Sequence, residues 1–213
     1  MGALVGSRRA SCPVVERSEL SEVHYITAIS NLPSMLSLGL LSHDRAATVS
    51  HVSVAMEEIQ DRRAPKTVPG GRRLHEYVNL YINARNVMLA RVLHSHSIDE
   101  LCVVRVSSSV IDHPHVVIAD RNAASDYVRF ADASVGLALV NREKVFAQYW
   151  THSGDQIAEW QHKSAMCAEV LVPDTVDPRY ITGVYVGSGQ AQRSVTTVDA
   201  GLDLKLSDYM FFK

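Results

Sequence analysis

The sequence predicts an α+β fold in which helices flank a β core within a single domain. Short β-rich segments outnumber the helical ones and alternate with them irregularly, unlike the regular repeat of α/β proteins. The chain has 213 residues, of which 46% are apolar and 21% charged, so it can bury a core of its own. No linker divides it. We therefore expect a loosely ordered segment over residues 1–17 and one domain over residues 18–213.

The predicted strands share β-branched or aromatic residues bounded by polar ones. In chain order they are residues 23–27, 77–82, 101–107, 116–119, 168–172, 180–187 and 202–212.

The predicted helices rest on capping residues and on apolar residues three and four positions apart. Asn31 and Pro33 indicate the start of the first helix, and Gly39 indicates its end. A Pro-Gly-Gly run predicts a loop over residues 65–73, and residues 151–161 are ambiguous. The other predicted helices are residues 52–63, one or two turns within 122–130, then 144–150 and 190–200.

Composition excludes several classes of protein. A formal net charge of -2 excludes a globally basic nucleic-acid binder, although a local basic groove is compatible with it. Cys12, Cys102 and Cys167 are far apart and form no CxxC motif, so we expect free thiols in a reducing compartment. No apolar stretch is long enough for a membrane span or a signal peptide. We expect a cytoplasmic protein without membrane association.

Some local motifs point to other chemistry, but each is incomplete. A glycine-containing run over residues 187–192 follows a strand, but Gln192 stands where a dinucleotide-binding loop has glycine or alanine. We expect a plain turn there. The pairs His94/His96 and His113/His115 lack further ligands, so we expect no metal. Neither a P-loop nor a nucleophile elbow is present.

Polar residues within apolar strands are the first candidates for chemistry. Glu169 lies in the apolar run 166–172, and His24 lies in the first strand. A buried carboxylate needs partners, and burial would raise its pKa, as suits a general base. Strand alternation could equally place Glu169 on a solvent-facing side.

Arginines cluster in the first half of the chain. Their planar guanidinium groups can grip phosphates with two hydrogen bonds, and the nearby Tyr77 and Tyr81 could stack on a base. A solvated charged loop and ordinary strand packing are the alternatives. The cluster consists of Arg62, Arg63, Arg72, Arg73 and Arg85.

Five segments, taken in order, resemble the DarT family of DNA ADP-ribosyltransferase toxins. The first resembles that family's opening block, "H-x-T" followed by "NLP" and "GL". The order and spacing hold from about residue 23 to the C-terminus, which makes the set more specific than any one segment. The segments are residues 24–41, 59–71, 74–89, 121–127 and 168–173.

The resemblance implies an ADP-ribosyltransferase fold, with a split, twisted β core and NAD in a cleft. It implies that the protein transfers ADP-ribose from NAD to a base of single-stranded DNA and releases nicotinamide. It also implies an antitoxin that removes the modification. We expect a monomer that uses NAD as co-substrate and no metal.

The resemblance also implies roles for single residues. Glu169 would be the catalytic carboxylate, stabilising an oxocarbenium-like ribose or accepting a proton from the attacking base. One arginine of the pair Arg62 and Arg63 would lie near the NAD phosphates and assist the reaction. His24 would hydrogen-bond the nicotinamide ribose and Tyr81 would line the pocket. Further NAD contacts are expected from Thr27, Asn31 and Leu40. DNA contacts are expected from Asn83, Arg85, Asn86, Met88, Arg72 and Arg73.

Two departures from the family pattern bear on the target base. Asn79 and Asn86 stand where the family has a proline and a serine, near the expected base-binding loop. They favour guanine slightly over the usual thymine. An ADP-ribosyltransferase acting on RNA, protein or a small molecule is one alternative function. An inactive NAD-binding or antitoxin-binding module is another.

Overall fold

The computed structural model describes residues 13–213. The strands are β1 (Glu22–Ala28), β2 (Leu40–Leu41), β3 (Tyr77–Tyr81), β4 (Leu101–Ser107), β5 (Val117–Ala119), β6 (Phe130–Asp132), β7 (Glu169–Pro173), β8 (Thr175–Val176), β9 (Ile181–Val186) and β10 (Leu204–Leu206). The α-helices are α1 (Leu32–Leu38), α2 (His43–Ala46), α3 (Glu57–Arg63), α4 (Val87–Ser95), α5 (Ala133–Gly136), α6 (Arg142–Val145), α7 (Gln156–Met166) and α8 (Gly189–Val198).

Eight of these strands form one mixed sheet in the order β10-β9-β4-β1-β3-β7-β5-β6. Every neighbouring pair is antiparallel except β9 and β10, which are parallel. Strands β2 and β8 form a separate small sheet. The predicted α+β class is confirmed.

The large sheet is split between its two central strands. Seven residues of β1 pair with β4, and five residues of β3 pair with β7. Between β1 and β3, however, the only register pair is His24 with Tyr81. The sheet therefore consists of two halves that meet at one point and diverge beyond it.

The two faces of the sheet differ in polarity because side chains alternate along each strand. One face carries the main apolar cluster, which includes Val78, Leu80 and Val170 and is covered by α1 and α8. The opposite face carries Tyr81, Glu169 and Asn79. Tyr81 lies opposite Glu169 in register, and Asn79 is two positions before Tyr81 on the same strand, so the three side chains share a face. Polar side chains are thereby brought together in the middle of the sheet.

Most predicted strands occur within one or two residues of their expected limits, but the last one was predicted too long. Only Leu204–Leu206 pairs with the sheet, and the residues after it form turns. The glycine-containing run is a plain turn, as predicted, because the Ser188 side chain accepts a hydrogen bond from the Ala191 amide and starts α8.

The helix predictions were less accurate. The helix predicted over 52–63 begins only at Glu57, and the helix predicted over 144–150 ends at Val145. Residues 122–129 form turns instead of a helix. The ambiguous stretch 151–161 contains the start of α7, where the Asp155 side chain accepts a hydrogen bond from the Ala158 amide.

The segment before the first strand is packed where the structure describes it. Val15 is buried, Val14 bridges to Asn141, and the Pro13 carbonyl accepts a hydrogen bond from the Arg142 amide. Residues 13–15 thus contact the domain, and residues 1–12 of that predicted segment, with Cys12, lie outside the described residues. Within the described range, no helix has the length and apolar character that crossing a membrane requires.

Candidate active site

A cavity lies where the sheet splits. Strand β1 contributes Tyr25 and Thr27 to its wall, and β3 contributes Tyr77, Asn79 and Tyr81. Tyr25 and Thr27 follow His24 on β1, and Tyr77 and Asn79 precede Tyr81 on the antiparallel β3, so the cavity opens where β1 diverges from β3 beyond the single His24–Tyr81 pair. Helices α1, α3 and α4 contribute further side chains to the wall.

One wall of the cavity is the loop between α2 and α3, residues 47–56, most of which line it. The Asn31 side chain holds this loop by two hydrogen bonds to one residue. Its Nδ2 donates to the Val52 carbonyl at 2.8 Å, and its Oδ1 accepts from the Val52 amide at 2.9 Å. Asn31 Nδ2 also donates to the Thr27 hydroxyl at 3.1 Å. Asn31 therefore ties the loop to the end of β1.

The most polar feature of the cavity is a buried ion pair. Arg63, the last residue of α3, lines the cavity and is 5% exposed, while Glu169, the first residue of β7, is fully buried behind it. Arg63 Nη1 donates to Glu169 Oε1 at 3.2 Å, and Nη2 donates to Oε2 at 2.8 Å. This two-bond geometry fixes both side chains.

Two more donors complete the surroundings of the Glu169 carboxylate. Asn79 Nδ2 donates to Oε2 at 2.9 Å, and the Ala123 amide donates to Oε1 at 2.9 Å. Each carboxylate oxygen thus accepts two hydrogen bonds, which satisfies its capacity. The solvent-facing alternative for Glu169 is excluded, because the structure buries the residue and supplies all its partners.

Two phenols flank the ion pair. Burial raises the pKa of Tyr25, and the positive charge of Arg63 opposes this only in part. Burial and the neighbouring Glu169 charge hold the pKa of Tyr81 well above its ordinary value. Burial lowers the pKa of Arg63, but Glu169 outweighs this and raises it overall. The site therefore combines one charged pair with two neutral hydroxyl donors at neutral pH.

The residues expected to contact NAD are only partly brought together. Thr27, Asn31 and Tyr81 line the cavity. Leu40 is buried in the apolar core, and its neighbours Gly39 and Leu41 line the cavity instead. Arg62 is exposed on α3 and is not part of the cavity wall. Of the two adjacent arginines, the structure thus places Arg63 at the site.

His24 does not line the cavity, and Tyr25 does. His24 projects from the face of β1 opposite to Tyr25, and its Nε2 is 3.2 Å from Glu22 Oε1 while its Nδ1 is buried without a partner among the described residues. The sequence analysis missed Tyr25. The spacing of the family block could have indicated Tyr25. In "H-x-T" the first residue lies two positions before the threonine, which is Tyr25 relative to Thr27, whereas His24 lies three positions before it.

Several residues expected to contact DNA are engaged within the protein. Asn86 is fully buried and starts α4 by accepting hydrogen bonds from the Met88 and Leu89 amides. Arg85 is buried and donates to the Tyr209 and Gln148 carbonyls.

The remaining members of that set differ in their access. Asn83 donates to the Val145 carbonyl at 3.0 Å, and Met88 lines the cavity. Arg72 pairs with Asp174, and Arg73 pairs with Asp44, but both arginine side chains are about half exposed. Within this set, a ligand can therefore reach Met88, which lines the cavity, and the half-exposed Arg72 and Arg73.

No three potential metal ligands of the His, Cys, Asp or Glu type come together among residues 13–213. Cys102 and Cys167 are free and buried, and burial raises the pKa of both thiols.

Comparison with known proteins matches residues 24–208 to one family, described as "ssDNA thymidine ADP-ribosyltransferase, DarT". A DNA ADP-ribosyl transferase–DNA ADP-ribosyl glycohydrolase fusion protein of Thermosipho africanus is 32% identical over 175 residues, which cover 78% of this chain. This chain spans only 42% of the fusion protein's length. A DNA ADP-ribosyl transferase of Thermus sp. is 31% identical, covering 62% of this chain and 68% of that protein.

Solved structures agree with these sequence matches. Thermosipho africanus DarTG in complex with ADP-ribose superimposes with a TM-score of 0.79 at 27% identity, over 90% of this chain and 51% of that one. Thermus sp. DarT in complex with ADP-ribosylated ssDNA gives the same TM-score at 22% identity, over 92% of this chain and 99% of that one. The sheet with its flanking helices is therefore the fold of these proteins.

Proposed function

This chain belongs to the DarT family, and from that premise we propose that it transfers ADP-ribose from NAD to a base of single-stranded DNA. Its relatives carry the name DNA ADP-ribosyl transferase, and solved structures of similar fold hold ADP-ribose, NAD+ or ADP-ribosylated ssDNA. NAD is the proposed co-substrate here. The proposed reaction needs no metal.

The observation that carries this proposal is the buried pair of Arg63 and Glu169 beside the cavity in the split sheet. A carboxylate with four donors is held rigidly, and it fixes the guanidinium that faces the cavity. Such preorganised charges are the main means by which enzymes stabilise transition states. The pair therefore supports a catalytic centre over an inactive binding module.

The proposed reaction breaks the bond between nicotinamide and the ribose of NAD, and nicotinamide leaves with the electron pair. The ribose carbon becomes oxocarbenium-like, and a ring nitrogen of the base attacks it and releases its proton to solvent water as the new bond forms. We assign Arg63 to contact the reacting groups, because it alone of the pair lines the cavity. Glu169 offsets the developing positive charge and holds Arg63 in place. Its oxygens are fully occupied, which favours this electrostatic role over proton acceptance.

Thymine is the base that we now propose as the target. The expectation of guanine rested on Asn79 and Asn86. The Asn79 side chain holds Glu169, and the Asn86 side chain caps α4, so both asparagines have roles within the protein. The reason to depart from the base named in the family description is thereby removed.

The NAD contacts that we propose come from the cavity wall. Tyr25 and Thr27 on one strand and Tyr81 on the other face the same space as Arg63. Asn31 acts by holding the loop 47–56 against that space. Tyr25 replaces His24 in this assignment.

We further propose that the protein is the toxin of a pair whose antitoxin removes the ADP-ribose. In the Thermosipho africanus relative the transferase is fused to a DNA ADP-ribosyl glycohydrolase. A separate or fused glycohydrolase is therefore the proposed partner. The cytoplasmic location and the monomeric state stay predictions from the sequence.

The experiment incubates the protein with labelled NAD and, in parallel, single-stranded DNA, the matching duplex, RNA and lysate proteins. Label on single-stranded DNA alone is the expected result, because an unpaired base avoids the cost of leaving a duplex. Label on RNA or protein instead would move the proposal to those substrates. NAD binding without nicotinamide release would support the inactive module.

A further inference from the structure

The loop between β5 and β6, residues 120–129, lies directly against the candidate catalytic carboxylate. Its Ala123 amide is one of the four donors to Glu169. Its Asn122 amide donates to the Ser164 carbonyl at 2.9 Å, which ties the loop to α7. The loop therefore has a fixed position beside Glu169.

Two further groups hold this loop in shape. The buried Asp120 carboxylate accepts hydrogen bonds from the Arg121 side chain and from both the amide and the side chain of Arg129, so it closes the loop on itself. Burial opposes the charge of Asp120, but these hydrogen bonds outweigh it and lower its pKa. Lys66 donates to the Ser125 carbonyl and to Asp126, both at 2.9 Å.

Tyr127 stands out from this rigid loop. It is 81% exposed, whereas the next residue, Val128, packs into the apolar cluster that contains Leu171. The Tyr127 ring takes part in no ring contact and its hydroxyl in no hydrogen bond among the described residues. Exposing a large aromatic side chain on a well-anchored loop has no packing benefit, so the ring is available to a ligand.

Positive charges surround the loop that presents this ring. Lys66, Arg121 and Arg129 contact the loop or belong to it, and the charge of Arg62 acts on Asp126. Arg62 is exposed and has no ion-pair partner among residues 13–213. Lys66, Arg121 and Arg129 are paired with Asp126 or Asp120, so Arg62 is the cation of this group that is left for a phosphate. Proteins bind single-stranded nucleic acid by stacking bases on aromatic rings and by contacting phosphates with cations.

We propose that Tyr127 is a stacking platform for a base adjacent to the modified one in the single-stranded DNA. This inference rests on the proposed function. The modified base must reach the cavity beside Arg63, and Tyr127 lies outside the cavity, on the loop that contacts Glu169. We therefore assign the ring to a neighbouring nucleotide of the same strand. Stacking tolerates any base, so Tyr127 contributes affinity for the strand more than choice of sequence.

The test compares three variants by steady-state kinetics with NAD and a short single-stranded oligonucleotide. Tyr127→Ala should raise KM for DNA about tenfold, since the stacking of one base is lost, and should leave kcat nearly unchanged. Tyr127→Phe should retain a KM within about twofold, because the ring face remains. Tyr149→Ala is the matched control, since Tyr149 is 69% exposed and lies outside the loop.

An unchanged KM in Tyr127→Ala would overturn the inference. So would an equal rise in Tyr149→Ala, because exposed tyrosines in general would then contribute. Failure of the wild-type protein to modify DNA would instead overturn the proposed function, and with it this inference. Hydrolysis of NAD without DNA, measured for each variant, should not change, because Tyr127 does not line the cavity.

Discussion

The guanidinium of Arg63 and the carboxylate of Glu169 meet in a two-bond ion pair although the residues are 106 positions apart in the chain. Arg63 faces the cavity and Glu169 does not. Glu169 therefore acts on a substrate mainly by positioning Arg63 and balancing its charge, and the two side chains form one functional unit. The loss of either side chain should remove the hydrogen bonds that fix the other and so reduce activity.

Glu169→Gln should abolish transfer while retaining most of the shape of the site. We expect activity to fall at least about 100-fold, because the charge that the site presents is lost. Glu169→Ala should also destabilise the fold by about 3–5 kcal/mol, because it leaves the Arg63 charge buried and unpaired. Activity assays combined with urea unfolding measure both effects. Full activity in Glu169→Gln would contradict the assignment.

Arg63→Gln should reduce NAD use far more than Arg62→Gln. The two arginines are adjacent on α3, but one is buried in the ion pair and the other is exposed. Arg62→Gln therefore serves as a matched control for the removal of one positive charge. Nicotinamide release gives the rate of each variant. Equal losses in the two variants would show that the charge of the helix end matters and the ion pair does not.

Asn79→Ala should lower kcat about tenfold or more and leave KM for NAD nearly unchanged. It removes one of the two donors to Glu169 Oε2 and leaves the other, from Arg63, in place. The cost in stability should be about 1–3 kcal/mol. Asn83→Ala is the control, since Asn83 bonds to a backbone carbonyl away from Glu169. A KM effect without a kcat effect would indicate that Asn79 binds NAD directly.

Acid should destabilise the protein through Glu22. Burial would raise the pKa of this carboxyl, but hydrogen bonds from His24, Tyr185 and Arg105 outweigh it and lower the pKa to about 2 from 4.5. A pKa lowered by folding means that the charged form stabilises the folded state above pH 4.5. That contribution, roughly 3 kcal/mol, is lost as pH falls toward 2.

The measurement for Glu22 is the free energy of unfolding against pH for the wild-type protein and for Glu22→Gln. The difference between the two proteins should be greatest above pH 4.5 and should shrink toward pH 2. A difference that stays constant over this range would show that the Glu22 charge has no role in stability.

The strands followed from the sequence because they are local signals, whereas the choice of Glu169 as the central carboxylate rested on the family resemblance. Apolar β-branched runs define strands regardless of their partners, and a carboxylate inside such a run needs an explanation. The choice between Arg62 and Arg63 did not follow from the sequence. Adjacent helical residues differ by about 100° in direction, and only tertiary packing decides which one turns inward.

The helices and the DNA-contact residues were harder to predict for a related reason. Residues 52–56 have a helical composition but serve as a cavity wall, where Asn31 holds Val52. Asn86 was expected to contact DNA because of its place in the family resemblance, yet its side chain caps α4. Side chains that satisfy backbone groups resemble binding residues in a sequence, and only the structure separates the two.

The most direct test of the central claim is intact-mass analysis of two single-stranded oligonucleotides, one without guanine and one without thymine. Each is incubated with NAD and either the wild-type protein or Glu169→Gln. We predict an ADP-ribose mass increase only on the oligonucleotide that contains thymine, and only with the wild-type protein. An increase that persists in Glu169→Gln, or no increase on either oligonucleotide while NAD is consumed, would contradict the account.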